Sequence, residues 1–273
     1  MKLALLQMTS GIDPAANAHL LAGAVAEAAR GGAAMLFTPE MSGLVDRDRA
    51  RAELNIRAET DDPVLAAVRA AAASHGIWVH LGSLALRRAD DRLANRGFVI
   101  DGVGQIRARY DKLHLFDVDL PTGESWRESA TYAAGDTAVV VESPIGTLGL
   151  SICYDLRFAA LYAALSAAGA AVLSIPAAFT QPTGAAHWHV LQRARAIESA
   201  CFVVAAAQTG VHEDGRATFG HSLVIDPWGE VLLDMGEAPG LGFADVDLAQ
   251  VSAVRARIPV LAHRRAVPGV CAA

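Results

Sequence analysis

The sequence predicts an α/β fold with mixed sheets, and three observations support this prediction. Short apolar segments alternate along the chain with segments of helical periodicity. Several strand pairs are separated by tight Pro/Gly turns, which indicates antiparallel hairpins beside parallel neighbours. No linker, low-complexity tract or tandem repeat interrupts the pattern. We therefore expect residues 1–273 to form a single domain.

The first half of the chain begins with a short apolar strand that turns polar too early for a signal peptide. A helix follows, and Gly31 and Gly32 end it. A later helix has Pro63 at its start and Gly76 after it, which are typical start and stop signals. The predicted elements are Leu3–Met8, helix Ala15–Arg30, Ala34–Phe37, helix Pro63–Ser74, Trp78–Leu86 and the hairpin of Arg96–Asp101 with Gln105–Tyr110.

The second half repeats this alternation. The segment FTQPTGAAHW is interpreted as a loop because Pro and Gly punctuate it, and the polar tail Arg255–Arg265 is given no element. The predicted helices are Phe158–Ala168 and His187–Ala200. The predicted strands are Ala138–Glu142, Thr147–Ile152, Ala171–Ile175, Cys201–Ala207, Ser222–Asp226 and Val231–Asp234.

The composition excludes several classes of partner. The chain is 53% hydrophobic and 19% charged, which is enough apolar material for a large core. Its net charge is -6 and it has no basic stripe, so a nucleic-acid partner is not expected. No segment approaches the roughly 18 apolar residues of a spanning helix, so no membrane partner is expected. The odd, sparse cysteines Cys153, Cys201 and Cys271 favour a reducing compartment, and we expect a cytoplasmic protein.

Lysine is rare in this chain. Of 23 Lys and Arg residues, only Lys2 and Lys112 are lysine. A lysine kept in mid-chain is therefore a candidate for chemistry that arginine cannot perform, because its ammonium is compact and its pKa shifts readily. An ordinary surface lysine is the alternative interpretation of Lys112.

Cys153 is the candidate nucleophile. It follows the strand GLSI and precedes a predicted helix, whose free N–H groups would favour a thiolate. The same turn offers the backbone N–H of Tyr154 to an oxyanion. The alternative is a small buried hydrophobe, which is how we interpret Cys201 inside CFVVAAA. Cys271 has no partner that the sequence names.

Glu40 is the candidate base, because a cysteine nucleophile needs one and none of the nine histidines has a distinctive context. It ends the apolar segment AAMLFTPE, where partial desolvation would raise its pKa. A solvated loop carboxylate is the alternative. Lys112 also ends an apolar strand, where its charge would stabilise an oxyanion and lower the pKa of the thiol. Since sites collect at strand ends in α/β sheets, we expect these three residues to meet.

Three segments, FTPEMS, YDKLHLFD and GLSICYDLRF, closely resemble the signature regions of the nitrilase (carbon–nitrogen hydrolase) superfamily. This resemblance implies a four-layer-forming α-β-β-α sandwich and a triad of Glu40, Lys112 and Cys153. It also implies that Glu40 is general base and acid, that Lys112 stabilises the tetrahedral intermediate, and that no cofactor is required. A second glutamate is often present, and Glu128 matches its position, with Glu124 as the fallback.

The segments HLFDVDLPTGESWRES and GHSLVIDPWGEVL resemble the Nit-type amidases. Within these amidases the chain resembles the deaminated glutathione amidases, with the omega-amidases as the near alternative. The resemblance implies a small-molecule amide substrate with an anionic α-keto acyl group, and a homodimer or higher homo-oligomer. Four residues near these motifs are candidates for substrate contact: Arg157, Phe179, Thr180 and Thr183.

Arg157 also has a structural interpretation, which we favour: it pairs with a carboxylate such as Glu128 or Asp155. The chain departs from the pattern of the family at two places. Ala159-Ala160 stands where relatives commonly have Pro-Glu, and we expect altered packing at the start of the next helix. His189 stands where relatives often carry an acid, and we expect a changed pocket mouth.

Other kinds of site lack support in the sequence. His187 and His189 lie about 200° apart around a helix, so they cannot bind one metal ion, and no other ligand spacing is present. The sequence has no phosphate-binding glycine motif and no G-x-S-x-G. A non-catalytic binding protein on the same fold is the rival from another class. It would lose a triad member, whereas this chain keeps all three.

Overall fold

The computed structural model describes residues 1–119, 123 and 125–269. Its helices are α1 (Pro14–Arg30), α2 (Arg49–Glu53), α3 (Pro63–His75), α4 (Ala159–Ala167), α5 (Gln181–Ser199), α6 (Ala249–Arg257) and α7 (Val260–His263), with short 3₁₀ helices at Glu59–Asp61, Glu128–Ala130 and Cys153–Arg157. Within these described residues, no helix combines the length and apolar character needed to cross a membrane.

Seventeen strands lie among the described residues. They are β1 (Lys2–Gln7), β2 (Met35–Phe37), β3 (Arg57–Ala58), β4 (Trp78–Arg87), β5 (Leu93–Ile100), β6 (Ile106–Asp111), β7 (Asp117–Asp119), β8 (Ser125–Arg127), β9 (Val140–Ser143), β10 (Gly146–Leu150), β11 (Val172–Ser174), β12 (Phe202–Ala205), β13 (Thr209–Val211), β14 (Ala217–Phe219), β15 (Leu223–Ile225), β16 (Val231–Asp234) and β17 (Gly240–Asp245).

Two mixed sheets form the centre of the molecule. The first has the order β17-β1-β2-β4-β5-β6, with β3 also paired to β4. In it β1, β2 and β4 are parallel, whereas β17 and the β4–β5–β6 meander are antiparallel. The second has the order β16-β15-β12-β11-β10-β9, with parallel β10, β11 and β12 between antiparallel neighbours. The prediction of mixed sheets is confirmed.

The two sheets face each other across a shared apolar core. Leu3 and Leu5 of β1 lie in the same buried cluster as Leu148 of β10. Ala4 and Leu6 point the other way and join a second cluster with the apolar faces of α1 and α3. This two-residue alternation buries both faces of β1. Helices α4 and α5 contact the second sheet, which gives the α-β-β-α sandwich that the family resemblance implies.

Helices α1 and α3 begin at Asp-Pro pairs. The carboxylates of Asp13 and Asp62 each accept a backbone N–H of the first turn. A proline, which lacks a backbone N–H, follows each cap. An N–H at this first helical position would have no acceptor within the helix, so its absence costs no hydrogen bond. Gly76 then ends α3 in the left-handed conformation, with φ of 65°. These local signals explain why both predicted helices match the structure to within one residue.

The prediction of a loop at FTQPTGAAHW is wrong, because α5 begins at Gln181. Pro182 lies in its first turn, where no intrahelical N–H is needed. Gly184 lies against the ring of Phe219, with which an added Cβ would collide. The glycine therefore permits close packing and does not break the helix. The polar tail also differs from expectation, since α6 and α7 cover much of it.

Candidate active site

Glu40, Lys112 and Cys153 lie together beside one cavity of about 820 Å³. Glu40 follows β2, Lys112 follows β6 and Cys153 follows β10. All three side chains are buried. The structure thus brings together the ends of strands from both sheets.

The Lys112 ammonium lies between two carboxylates. Its Nζ donates to Glu40 Oε1 and to Glu128 Oε2, each at 2.9 Å. Asn95 Nδ2 donates to the same two side chains, at 2.9 Å to Glu40 Oε1 and 3.1 Å to Glu128 Oε1. The backbone N–H of Phe116 donates to Glu128 Oε2 over 2.7 Å. This network fixes the ammonium and leaves a local charge of one negative unit when both carboxylates are ionised.

Cys153 adopts the left-handed backbone conformation, with φ of 49°, which is uncommon for a residue with a side chain. Its N–H donates to Pro176 O over 2.9 Å, and the Glu40 carboxylate lies beside its thiol in the same cavity, near enough for the carboxylate charge to act on the thiol pKa. The other oxygen of that carboxylate, Oε2, accepts the N–H of Ala178 at 3.0 Å. Tyr154 is the second residue of the 3₁₀ helix, so its N–H has no acceptor within that helix.

The pKa of Glu40 is lowered, so the predicted increase is wrong. Burial raises the pKa of this carboxyl, as the sequence argument assumed. The charge of Lys112 and hydrogen bonds from Cys153, Lys112 and Asn95 lower it by more. Glu40 is therefore held ionised and ready to accept a proton.

The pKa of the Cys153 thiol is raised well above its ordinary value. Burial and the neighbouring charge of Glu40 raise it, whereas Lys112 lowers it. The sequence argument anticipated the effect of Lys112 but not the two larger effects. The pKa of Lys112 is also raised, because the charges of Glu128 and Glu40 outweigh its burial. The resting site therefore holds a neutral thiol beside an ionised carboxylate and an ammonium.

Asp155 connects the turn that carries Cys153 to the strand end that carries Lys112. Its carboxylate is fully buried. Oδ2 accepts the Tyr110 hydroxyl at 2.7 Å and the Ile152 N–H at 2.9 Å. Oδ1 accepts the His114 N–H at 3.0 Å and lies 2.6 Å from His114 Nδ1. Because its partners flank both functional residues, this carboxylate sets their spacing.

The four residues predicted to contact substrate, Arg157, Phe179, Thr180 and Thr183, all line the same cavity. The predicted pairing of Arg157 with Glu128 or Asp155 is wrong, because other groups bind those carboxylates. The Arg157 guanidinium instead lies over the rings of Tyr154 and Phe179, 5.9 and 5.4 Å from their centroids. Its Nη1 is 3.3 Å from His187 Nδ1. Among the described residues no carboxylate pairs with this guanidinium.

Comparison with known proteins identifies the family. The sequence model of the carbon-nitrogen hydrolase family matches residues 2–256. This chain belongs to that family. A deaminated glutathione amidase of Yersinia enterocolitica is 37% identical over 268 residues, which cover 97% of this chain and 93% of the relative. Hydrolases of this kind act on carbon–nitrogen bonds other than peptide bonds, so this chain is such a hydrolase.

Solved structures agree with this assignment. The crystal structure of Caenorhabditis elegans NitFhit, a nitrilase and fragile histidine triad fusion protein, has a TM-score of 0.90 and 40% identity. The match covers 97% of this chain and 65% of NitFhit. A mutant of the amidase from Nesterenkonia sp. AN1, 27% identical with a TM-score of 0.80, shows the result of Michael addition of acrylamide at its active-site cysteine. That match covers 95% of this chain and 98% of the Nesterenkonia amidase.

The departures from the family pattern lie away from the chemistry. Ala159 and Ala160 are exposed in the first turn of α4, so the expected change in packing is confined to the surface. His189 is absent from the described lining of the cavity, and its Nε2 instead lies 2.9 Å from Asp234 Oδ2. The expected effect of His189 on the pocket mouth is therefore wrong.

Cys201, Cys271 and Glu124 are the remaining residues that the sequence analysis considered. Cys201 is fully buried, and burial raises the pKa of its thiol to about 11, which fits a packing role. Cys271 and the fallback Glu124 lie outside the described residues.

Sequence reasoning missed two functional neighbours in this hydrolase. Asn95 is a buried amide inside the apolar strand β5, and a polar residue at such a position was the available signal. Asp155 lies within the CYD segment that carries Cys153. Its role depends on Tyr110 and His114, which only the fold brings close.

Proposed function

We propose that this chain is an amidase that hydrolyses deaminated glutathione, α-ketoglutaryl-cysteinylglycine, through a thioester on Cys153. The relative from Yersinia enterocolitica that carries this activity in its name supports the substrate. The adduct on the cysteine of the Nesterenkonia amidase supports the nucleophile. The observation that carries the proposal is the burial of Cys153 beside an ionised Glu40 and Lys112, all three lining one cavity.

In the first half of the reaction the Cys153 sulfur attacks the amide carbon while Glu40 accepts the thiol proton. A carbon–sulfur bond forms, and the carbonyl oxygen becomes an oxyanion. The Lys112 ammonium and the Tyr154 N–H stabilise that oxyanion. The carbon–nitrogen bond then breaks, and protonated Glu40 gives its proton to the leaving amine.

In the second half, water hydrolyses the thioester. Glu40 accepts a proton from the water as its oxygen attacks the acyl carbon, and the same two donors stabilise the second oxyanion. The carbon–sulfur bond breaks, the acid leaves, and Glu40 returns its proton to the Cys153 sulfur. Protons and electrons balance without a cofactor.

Glu128 acts through Lys112 in this scheme. Its carboxylate, held by Asn95 and the Phe116 N–H, binds the ammonium at 2.9 Å. Its charge is the largest contribution that raises the pKa of Lys112. Glu128 therefore keeps Lys112 protonated and aimed, which an oxyanion donor requires.

Arg157 is the proposed partner of the anionic acyl group. It is four residues from Cys153, lines the cavity, and lies against Tyr154 and Phe179. A guanidinium on aromatic rings remains able to bind a carboxylate through two N–H groups. The Thr180 and Thr183 hydroxyls, 2.8 Å apart in the same cavity, supply further hydrogen-bonding groups.

An omega-amidase acting on α-ketoglutaramate is the alternative, since it shares the acyl group and releases ammonia. The cavity of about 820 Å³ favours the larger substrate. A panel of deaminated glutathione, α-ketoglutaramate, a simple aliphatic amide, an N-carbamoyl amino acid and a nitrile tests both. We expect the highest kcat/KM for deaminated glutathione. A higher value for α-ketoglutaramate would select the omega-amidase, and a higher value for an uncharged substrate would contradict both.

We also propose that the whole chain acts as one domain, in the cytoplasm, as a homodimer or higher homo-oligomer. The family match over residues 2–256 supports the first point, and the sparse cysteines support the second. The non-catalytic rival is disfavoured because all three triad residues are present, buried and beside one cavity.

A further inference from the structure

Three metal-ligating side chains meet at the edge of the second sheet, among residues that do not line the active-site cavity. His189 lies on α5, His221 precedes β15, and Asp234 is the last residue of β16. His189 Nε2 is 2.9 Å from Asp234 Oδ2, and His221 Nδ1 is 2.8 Å from Asp234 Oδ1. One carboxylate thus lies between two imidazoles from different elements.

We propose that His189, His221 and Asp234 form a binding site for one divalent transition-metal ion of the zinc type. Two imidazole nitrogens and one carboxylate oxygen suit zinc and its neighbours, whereas magnesium and calcium prefer oxygen alone. Three protein ligands would leave a fourth position for water.

The distances require only a small rearrangement. One ligand atom from each side chain lies within 4.8 Å of the other two. In a tetrahedral zinc site, bonds of about 2.0–2.1 Å place ligand atoms roughly 3.3 Å apart. The side chains of His189, His221 and Asp234 are 37%, 22% and 33% exposed. Rotation of these side chains can therefore move their ligand atoms by the roughly 1 Å that ion binding needs.

The backbone already holds two of the ligands in place. His221 adopts a left-handed conformation with φ of 55°, and its carbonyl accepts the indole N–H of Trp188 at 2.8 Å. Asp234 Oδ1 also accepts the Gly236 N–H at 2.9 Å.

Sequence reasoning could not find this cluster. The spacing along the chain suggested only the pair His187 and His189. The structure separates these two side chains, and His187 faces Arg157. The actual partner, Asp234, is 45 residues away from His189 along the chain. The competing explanation is that the cluster binds no metal ion and that hydrogen bonds alone connect the two imidazoles to the carboxylate.

Calorimetric titration of the full, tag-free, chelator-treated chain with zinc chloride tests the proposal. The background carries Cys153→Ala and Cys271→Ser, so that neither thiol competes for zinc and catalysis plays no part. We expect one equivalent to bind. His189→Gln and Asp234→Asn should each weaken binding by more than about tenfold. The matched control is His75→Gln, which changes an exposed histidine at the end of α3.

A thermal melt gives a second readout. Zinc should raise the Tm of the background protein and of His75→Gln, and not that of Asp234→Asn, because an ion that binds only the folded state stabilises it. Absence of a stoichiometric zinc heat would overturn the proposal, as would binding that survives both ligand substitutions. Magnesium chloride that binds as tightly as zinc would also overturn it. None of these results depends on the proposed amidase activity.

Discussion

Tyr110 donates its hydroxyl hydrogen to Asp155 Oδ2 over 2.7 Å. Tyr110 lies two residues before Lys112, and Asp155 lies two residues after Cys153. This buried bond therefore connects the strand end that carries the ammonium to the turn that carries the thiol. The spacing of two proposed catalytic groups depends on a residue that touches neither substrate nor reacting atom.

Asp155→Asn should lower kcat by roughly 10- to 100-fold while KM changes little. The amide keeps one acceptor oxygen but presents an NH₂ to donors that need an acceptor, so the Cys153 turn shifts relative to Lys112. Steady-state kinetics measure the effect, with circular dichroism to show that the fold persists. Tyr110→Phe, which removes one donor, is the milder matched variant. An unchanged kcat in folded Asp155→Asn would show that the carboxylate has only a structural role.

Cys153→Ala should abolish turnover and leave the fold intact, because the alanine side chain is smaller than the thiol. Cys153→Ser should be nearly as inactive, since Glu40 is a poor base for an alcohol. Product release from deaminated glutathione measures both. Cys201→Ala is the control, because that buried thiol is outside the cavity lining. More than a few per cent of the wild-type rate in either Cys153 variant would refute the nucleophile.

Lys112→Arg should lose on the order of 10²-fold or more in kcat although the charge is kept. The guanidinium is larger and planar, and it cannot occupy the space between Glu40 and Glu128 in the manner of an ammonium. Lys2→Arg, at an exposed residue of β1, is the matched control. Near-normal kinetics for Lys112→Arg would exclude an oxyanion role.

The pH dependence of kcat/KM follows from the two shifted groups. Glu40 must be ionised, and its pKa lies below the ordinary 4.5, so activity is lost only as pH falls through that lowered value. The thiol pKa is raised above 9.0, so the alkaline loss begins above that pH. We expect kcat/KM to be constant between about pH 5 and 9, wherever the protein remains folded. An acid limb near pH 6 or 7 would contradict the lowered pKa of Glu40.

Asn95→Leu tests the cause of that shift. Asn95 lowers the pKa of Glu40 through a hydrogen bond, so its removal should move the acid limb to higher pH. The comparison is the pH profile of the wild type measured with the same substrate. An unmoved limb with altered kcat would assign Asn95 to geometry alone.

The substrate charge is testable with a pair of ligands. An α-keto acid amide should have a higher kcat/KM than its methyl ester, because Arg157 is the proposed partner of the carboxylate. Arg157→Gln should reduce that preference, whereas Arg107→Gln should not, since Arg107 is exposed, is paired with Asp101 and is outside the described lining of the cavity. If the ester equals the acid in the wild type, the cavity does not bind a carboxylate, and both proposed substrates fail.

The sequence predicted the strand and helix order and the positions of the three functional strand ends, because these depend on periodicity and local caps. It could not predict the pKa of Glu40, which depends on Lys112 and Asn95 from distant segments. It missed the start of α5 for a similar reason. Gly184 breaks helices in isolation, but packing against Phe219 requires a glycine there. Local preference was outweighed by tertiary contact.

The backbone of Cys153, at φ of 49°, has a further consequence for how this chain can change. A side chain in that region carries strain of about 1–3 kcal/mol, which glycine would not carry. Relief of that strain by glycine would offset part of the buried contacts that the side chain makes, so replacing the proposed nucleophile costs less stability than its burial alone implies. Engineering that ranks variants by melting temperature would penalise the loss of this residue too little, so stabilising designs must hold it fixed.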